Sequence, residues 1–280
     1  MKDTSISIIV ATHKKYRMPD DDMYLPLLVG ACINKQKFEN DSNCPYLMDD
    51  TGKNISELNP SFCELTGLYW AWQNLDSDYI GLVHYRRYFS RKCISQNEGN
   101  GKWDLILRRK DIAPLLNSVS VFVPTKRKYY IETLYSHYAH THYKEHLDDT
   151  RDIIKQIYPE YLEDYDYVLK QRSGYMFNMM ILKNELMNEY STWLFDILFK
   201  LKDKYDHEDL HLDSFQSRFY GRVSEILFNV WLKHKVRMSE IDSSEIMELN
   251  FIYMEKINYT KKVISFLKAK FFHKKYEGSF

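Results

Sequence analysis

The chain has 280 residues, 44% of them hydrophobic and 28% charged, a globular composition long enough for one large domain or a domain with an appendage. Its 39 basic residues balance 39 acidic ones, so bulk electrostatics give no case for a nucleic-acid partner. Four dispersed cysteines with no CxxC pair argue against a disulfide framework and give a zinc site no support.

The first element expected is a strand over residues 5–11, rich in β-branched residues, emptying into the polar turn Thr12-His13-Lys14-Lys15. No signal-peptide core precedes it, and no apolar run of about 18 residues occurs, so a cytoplasmic, reducing compartment is the default. Residues 24–32 are apolar, a short strand or helix. Asp49-Asp50-Thr51-Gly52-Lys53-Asn54 is a turn cluster. Asn59-Pro60-Ser61 opens a helix that runs to about Asn74.

Residues 79–83 then read as a strand buried on both faces, running straight into His84-Tyr85-Arg86-Arg87. Ligands of open α/β sheets sit beyond the carboxyl ends of such strands. Two guanidinium groups and an imidazole there suit a phosphate or diphosphate; the alternative is an ordinary surface arginine pair.

Further strands are expected over residues 118–124, stopped by Pro124, and 176–182. Between them, residues 129–146 are aromatic, His-rich and helical, and Pro159 divides helices over 149–158 and 161–170. Amphipathic helices cover residues 186–201 and 214–234. Residues 259–276 carry six lysines and no acid in a helical apolar pattern, suited to an anionic bilayer surface or to docking on the domain. Strands separated by helices predict an α/β sheet, mainly parallel. With neither GxGxxG nor GxxxxGK[ST] present, ordinary dinucleotide binding and P-loop chemistry lose support.

Each candidate has a bland counterpart. Thr12-His13-Lys14 is a nucleotide contact or a solvated turn. Asp49-Asp50 is a metal or ribose ligand, or simply a turn. His137, His140, His142 and His146 form a polar, aromatic surface or plain packing rather than a metal site. Gly221 in a helix interior marks a close approach. Asp213 or Glu225 is a general base or half of an ion pair. The 23 tyrosines line a sugar cleft or pack at half-buried positions.

Three blocks carry a family resemblance: Ile8 to Lys14; Asp49 to Ser56 with Glu64 to Trp72; and Gly81 to Phe89. Gly174 to Met179 and Gly221 to Glu225 fit the same pattern. Together they resemble the DUF4422 family of bacterial capsular and exopolysaccharide glycosyltransferases. The resemblance implies a GT-A-like domain over residues 1–240; the segment over 241–280, read from its own residues as helical, basic and membrane-associating, lies outside the match. It implies transfer of galactose or galactofuranose from a UDP-sugar to a lipid-linked saccharide at the inner membrane face, by an inverting displacement. Thr12, His13 and Asp50 would contact the nucleoside; His84, Arg86 and Arg87 the diphosphate; Asn178 the sugar; Glu225, or else Asp213, would be the base. GT-A enzymes often hold a metal with Asp-x-Asp at a strand end. His84-Tyr85-Arg86-Arg87 takes that position here, so no cofactor is required, with Mn2+ or Mg2+ left open through Asp49-Asp50.

Overall fold

The computed structural model describes residues 4–34, 46–92, 100–206, 213–255 and Lys270. Its strands are β1 (Ile6–Thr12), β2 (Tyr24–Leu28), β3 (Leu47–Met48), β4 (Tyr79–His84), β5 (Arg87–Ser90), β6 (Val121–Pro124), β7 (Arg127–Lys128), β8 (Ser173–Gly174), β9 (Met180–Lys183) and β10 (Ile246–Tyr253). Its helices are α1 (Ala31–Asn34), α2 (Asn59–Phe62), α3 (Leu65–Asn74), α4 (Arg109–Ile112), α5 (Leu134–Thr141), α6 (Glu145–Ile157), α7 (Leu162–Leu169), α8 (Asn184–Asp206) and α9 (Phe219–Arg237). They fall into two compact units: Met1–Thr125 with Phe177–Ser191 and Ile241–Glu255, and Lys126–Met176 with Thr192–Glu240 and Lys256–Phe280.

The first unit holds the large sheet. β1 lies between β2 and β4, parallel to both, and β3 extends the row parallel to β2. Along β1, Ile8 and Val10 join an apolar cluster with Tyr24, Tyr88, Phe89, Ile112 and Phe122. Ile9 points the other way, toward α3, as the two-residue period of a strand requires. There Gly67 sits so close that an added Cβ would lie 3.0 Å from Val29 and 3.4 Å from Ile9. β4 is buried on both faces from Tyr79 to Val83, as its continuous apolar run implies.

Beyond β4 the sheet departs from expectation. β9 pairs antiparallel along Tyr79–Leu82, whereas β5 meets β4 only at His84↔Arg87. β9 continues to β6, β6 to β10, and β10 back to β5, so these five strands close on themselves. Four of the strand pairs in this sheet are parallel (β1–β2, β1–β4, β2–β3, β6–β10) and four antiparallel, so it is mixed rather than mainly parallel. A doubly buried strand announces its burial through composition; the direction of its neighbours leaves no such mark.

Two other expectations change. The helix predicted over residues 59–74 divides at Cys63, whose φ of 53° breaks it into α2 and α3. Residues 241–280 are not helical throughout: Ile246–Tyr253 is strand β10, inside the sheet of the first unit. Apart from Lys270, the basic segment over 259–276 lies outside the described residues.

The second unit is helical, with the small antiparallel ribbon β7–β8. Tyr165 and Trp231 are fully buried in it. Buried Asp164 accepts from His234 Nδ1 at 2.9 Å and from Arg237 Nη2 at 2.8 Å, tying α7 to α9. The His-rich stretch is two helices, not one. His142 caps α5 in extended conformation and meets Gln216 Oε1 at 2.9 Å. His146 bonds the Tyr138 hydroxyl at 2.9 Å and stacks on Phe219 with centroids 3.9 Å apart. These histidines pack.

Candidate functional site

At the carboxyl end of β4 the chain reverses within two residues, Tyr85-Arg86, before β5. The turn is clamped from two sides. Tyr85 N–H donates to the Ala11 carbonyl near the end of β1, and Met254 N–H, just past β10, donates to the Arg86 carbonyl. Three strand ends therefore meet here.

That clamp assembles a charged cluster. Arg86 Nη1 lies 3.3 Å from Glu255 Oε2, and Lys14 Nζ 3.6 Å from Glu255 Oε1. Both cations also lie over the Tyr85 ring, each 5.2 Å from its centroid. All three charged side chains are about half exposed, which leaves them open to a ligand. His13, exposed beside them, meets the Tyr85 ring edge-on. Thr12 is buried, and its hydroxyl donates to the Lys14 carbonyl at 2.6 Å, shaping the turn that presents Lys14.

The two arginines of the motif part company. Arg87 packs its guanidinium 3.8 Å from the centroid of Phe177 and 4.7 Å from that of Tyr253. Arg86 and Lys14, rather than Arg86 and Arg87, form the exposed cationic pair. Sequence spacing supports adjacency of the arginines but not the route of each side chain.

A second cluster lies beside the first. His84 Nε2 is 2.6 Å from the Phe177 carbonyl. A carbonyl only accepts, so Nε2 carries the proton. Burial depresses the His84 pKa below its ordinary value, while the charge of Glu64 pulls the other way. The ring is neutral at pH 7, and its Nδ1 is left with an acceptor lone pair. Phe177 and Asn178 both adopt left-handed backbone, with φ of 80° and 50°. Non-glycine residues hold such angles at a cost of about 1–3 kcal/mol each, and they concentrate at functional sites. Buried Asn178 donates its amide Nδ2–H to Glu64 Oε1 at 2.7 Å. Glu64 itself follows the kink at Cys63. Glu64, Asn178, the Phe177 carbonyl and His84 thus form one polar chain.

Asp49 belongs to the frame. It is fully buried and accepts from Gly30 N–H (2.8 Å), Ala31 N–H (2.9 Å), Ser56 Oγ (2.5 Å) and Thr66 Oγ1 (2.6 Å). Four donors fill a carboxylate's lone pairs, leaving none directed at a metal. Gly30 holds φ +65° to aim its N–H at this carboxylate. Asp50, half-buried, sits at the start of the following turn. Among the described residues no group of three or more His, Cys, Asp or Glu is disposed to hold a metal.

The expected bases lie in the second unit. Asp213 Oδ1 accepts from the backbone N–H of Phe215 and Gln216, both at 2.8 Å, and so starts the turn before α9. Glu225 is partly exposed within α9. Sequence reasoning named neither Glu64 nor Glu255 as functional. The first lies in an apparently continuous helix. The second is a lone acid at the head of a basic segment.

A family model described as a domain of unknown function, DUF4422, matches residues 7–236. The chain belongs to the DUF4422 family. The DUF4422 match spans Lys14, Glu64, His84, Arg86 and Asn178, and ends before β10 and Glu255. A search of curated proteins returns no match. The chain is similar to a solved structure described as the apo form of WbbM, a bifunctional glycosyltransferase, with a TM-score of 0.78 and 26% identity. The likeness covers 90% of this DUF4422 chain and 46% of that one, so this chain spans less than half of the protein it matches. The shared architecture is a mixed α/β fold.

Proposed function

We propose that this chain is a glycosyltransferase that takes its sugar from a nucleotide donor bound at the carboxyl ends of β1 and β4. The observation that carries this is the clamped Tyr85-Arg86 turn. It sets Arg86 and Lys14 side by side, half exposed, around an aromatic ring. The likeness to a chain described as a bifunctional glycosyltransferase supports the same chemistry.

In the reaction, an acceptor hydroxyl oxygen forms a bond to the anomeric carbon as the bond from that carbon to the donor diphosphate breaks. Negative charge grows on the departing diphosphate, and Lys14 and Arg86 are placed to meet it. They supply charge that a metal supplies elsewhere. His13 and Asp50 flank the nucleoside. Neutral His84, Asn178 and Glu64 offer the donors and acceptors that sugar hydroxyls require. Arg87 holds the Phe177 turn that positions them.

An inverting displacement also needs a base for the acceptor hydroxyl, and the family resemblance offers Glu225 for that role. Asp213 is the second choice, because its carboxylate already caps a backbone turn. The donor is UDP-galactose or UDP-galactofuranose, and the acceptor a lipid-linked saccharide of capsular, exopolysaccharide or O-antigen synthesis at the inner face of the membrane. The sequence of the basic segment over 259–276 suits that location.

Thermal-shift measurements against a panel of nucleotide sugars, with and without EDTA, test the donor assignment. A ligand that binds only the folded state raises the melting temperature by mass action. The expected result is a shift with a UDP-sugar that survives EDTA. A shift abolished by EDTA and restored by manganese would overturn the metal-free site.

A further inference from the structure

At the tip of the β7–β8 ribbon in the second unit, two large side chains stand in solvent. Tyr130 is 77% exposed and Ile131 66%. They are held out rather than left over. Ile131 N–H donates to the Tyr129 carbonyl at 2.7 Å across Tyr130, whose φ is +56°. This is a three-residue turn of the rarer, strained, positive-φ kind. The ribbon braces it: Tyr129 N–H donates to the Arg172 carbonyl at 2.8 Å, and Arg172 Nη1 to the Tyr130 carbonyl at 3.4 Å.

The rim of this tip is basic. Residues 126–131 and 170–175 contain five lysines and arginines and no acid. Lys126, Lys128 and Arg172 are exposed. The adjoining acid, Glu132, is buried against His137 Nδ1 (2.8 Å) and His140 Nδ1 (2.6 Å) and so is not displayed on the rim. Glu132 also receives Lys270 Nζ at 3.7 Å.

We infer that the Tyr130–Ile131 tip, with Lys126, Lys128 and Arg172 around it, is a docking surface for an anionic lipid bilayer. A tyrosine ring beside an aliphatic side chain suits the headgroup boundary, where one end is apolar and the other wet. The surrounding cations match the negative surface potential of anionic lipids. The tip is a protruding turn rather than a groove, which favours a fluid surface over a shaped protein partner. Its purpose rests on the proposed membrane-borne acceptor; its chemistry rests on the ribbon alone.

Co-sedimentation of the full chain with phosphatidylcholine vesicles carrying about one-third phosphatidylserine tests this, with pure phosphatidylcholine vesicles as control. The chain is expected to bind the anionic vesicles and not the neutral ones. Tyr130→Asn with Ile131→Ser keeps a residue that tolerates positive φ and should weaken binding about tenfold. Lys128→Glu with Arg172→Glu should do at least as much. Both variants should keep the wild-type melting temperature and its shift with nucleotide sugar. Wild-type vesicle binding in both variants would overturn the inference and move docking to another surface. Failure of the wild-type chain to bind anionic vesicles would also overturn it. Vesicle binding without any nucleotide-sugar binding would refute the proposed function and leave this surface standing.

Discussion

At the residue scale, the hydrogen bonds of each acidic group separate frame from candidate site. Asp49 looks, in the sequence, like half of a metal-binding pair. Its four hydrogen bonds make it a structural carboxylate that ties α1, the turn at Ser56 and α3 together. Asp49→Ala would leave those donors buried without an acceptor. We expect a loss of about 3 kcal/mol or more, read as a lower urea midpoint. A midpoint within error of wild type would return Asp49 to the candidate ligands. Glu255 lies between Lys14 and Arg86, where an anionic ligand would bind. Glu255→Gln removes that internal competitor and should tighten UDP binding several-fold by calorimetry, whereas weaker binding would mean that Glu255 orders the two cations. The placement of the His84 to Arg87 run at the end of a doubly buried strand was legible in the sequence. Its true pairing, Arg86 with Lys14, was not, because it arises from two strand ends 72 residues apart that only the parallel register of β1 and β4 brings together. Glu64 was equally hidden: its partner Asn178 comes from a distant left-handed turn.

At the element scale, strands and helices were legible wherever periodicity is strong. β1, β4 and α8 fall where their apolar patterns put them. Boundaries failed where a single backbone angle decides. Cys63 at φ 53° divides α2 from α3, and Phe177 with Asn178 delays β9 to Met180. The His-rich stretch teaches a related lesson, since composition suggests a ligand set and packing explains it. His137, on α5, faces Glu132, with Arg127 and His140 nearby, and burial pushes its pKa down to about 4. Its neutral form is therefore favoured in the folded state. Stability from this group is complete above the unfolded value near 6.5 and is lost as pH falls toward 4. Glu132, held below the usual carboxylate pKa although burial alone would raise it, loses its contribution at still lower pH. The loss from His137 should reach the order of 3 kcal/mol by pH 4, and His137→Gln should flatten the stability profile between pH 6.5 and 4. An unchanged profile would mean that other groups govern the acid limb.

At the scale of the whole molecule, α/β character was legible from strands alternating with helices, and the direction of the strands was not. The sheet becomes mixed because β9 enters β4 antiparallel and β10 returns from residues 246–253 to close the set onto β5. That closure brings Tyr253 against Arg87 and Glu255 against the β4 turn, so a segment beyond the DUF4422 match packs on the candidate site. Residues 246–253 alternate apolar Met247, Leu249 and Phe251 with polar Glu248 and Asn250, which marks a strand but not its partners in the sheet. Among the described residues no helix is long and apolar enough to cross a membrane.

The central claim is that nucleotide sugar is bound and split where β1 and β4 end. The most direct measurement is the release of UDP from UDP-galactose or UDP-galactofuranose by the full chain, compared with Lys14→Ala/Arg86→Ala of unchanged melting temperature. Wild-type chain should release UDP, slowly to water and faster with acceptor, and the double variant should fall by about a hundredfold or more, as expected for loss of leaving-group stabilisation. Turnover in the double variant equal to wild type, or binding of a UDP-sugar by the wild-type chain with no release under any condition, would contradict it.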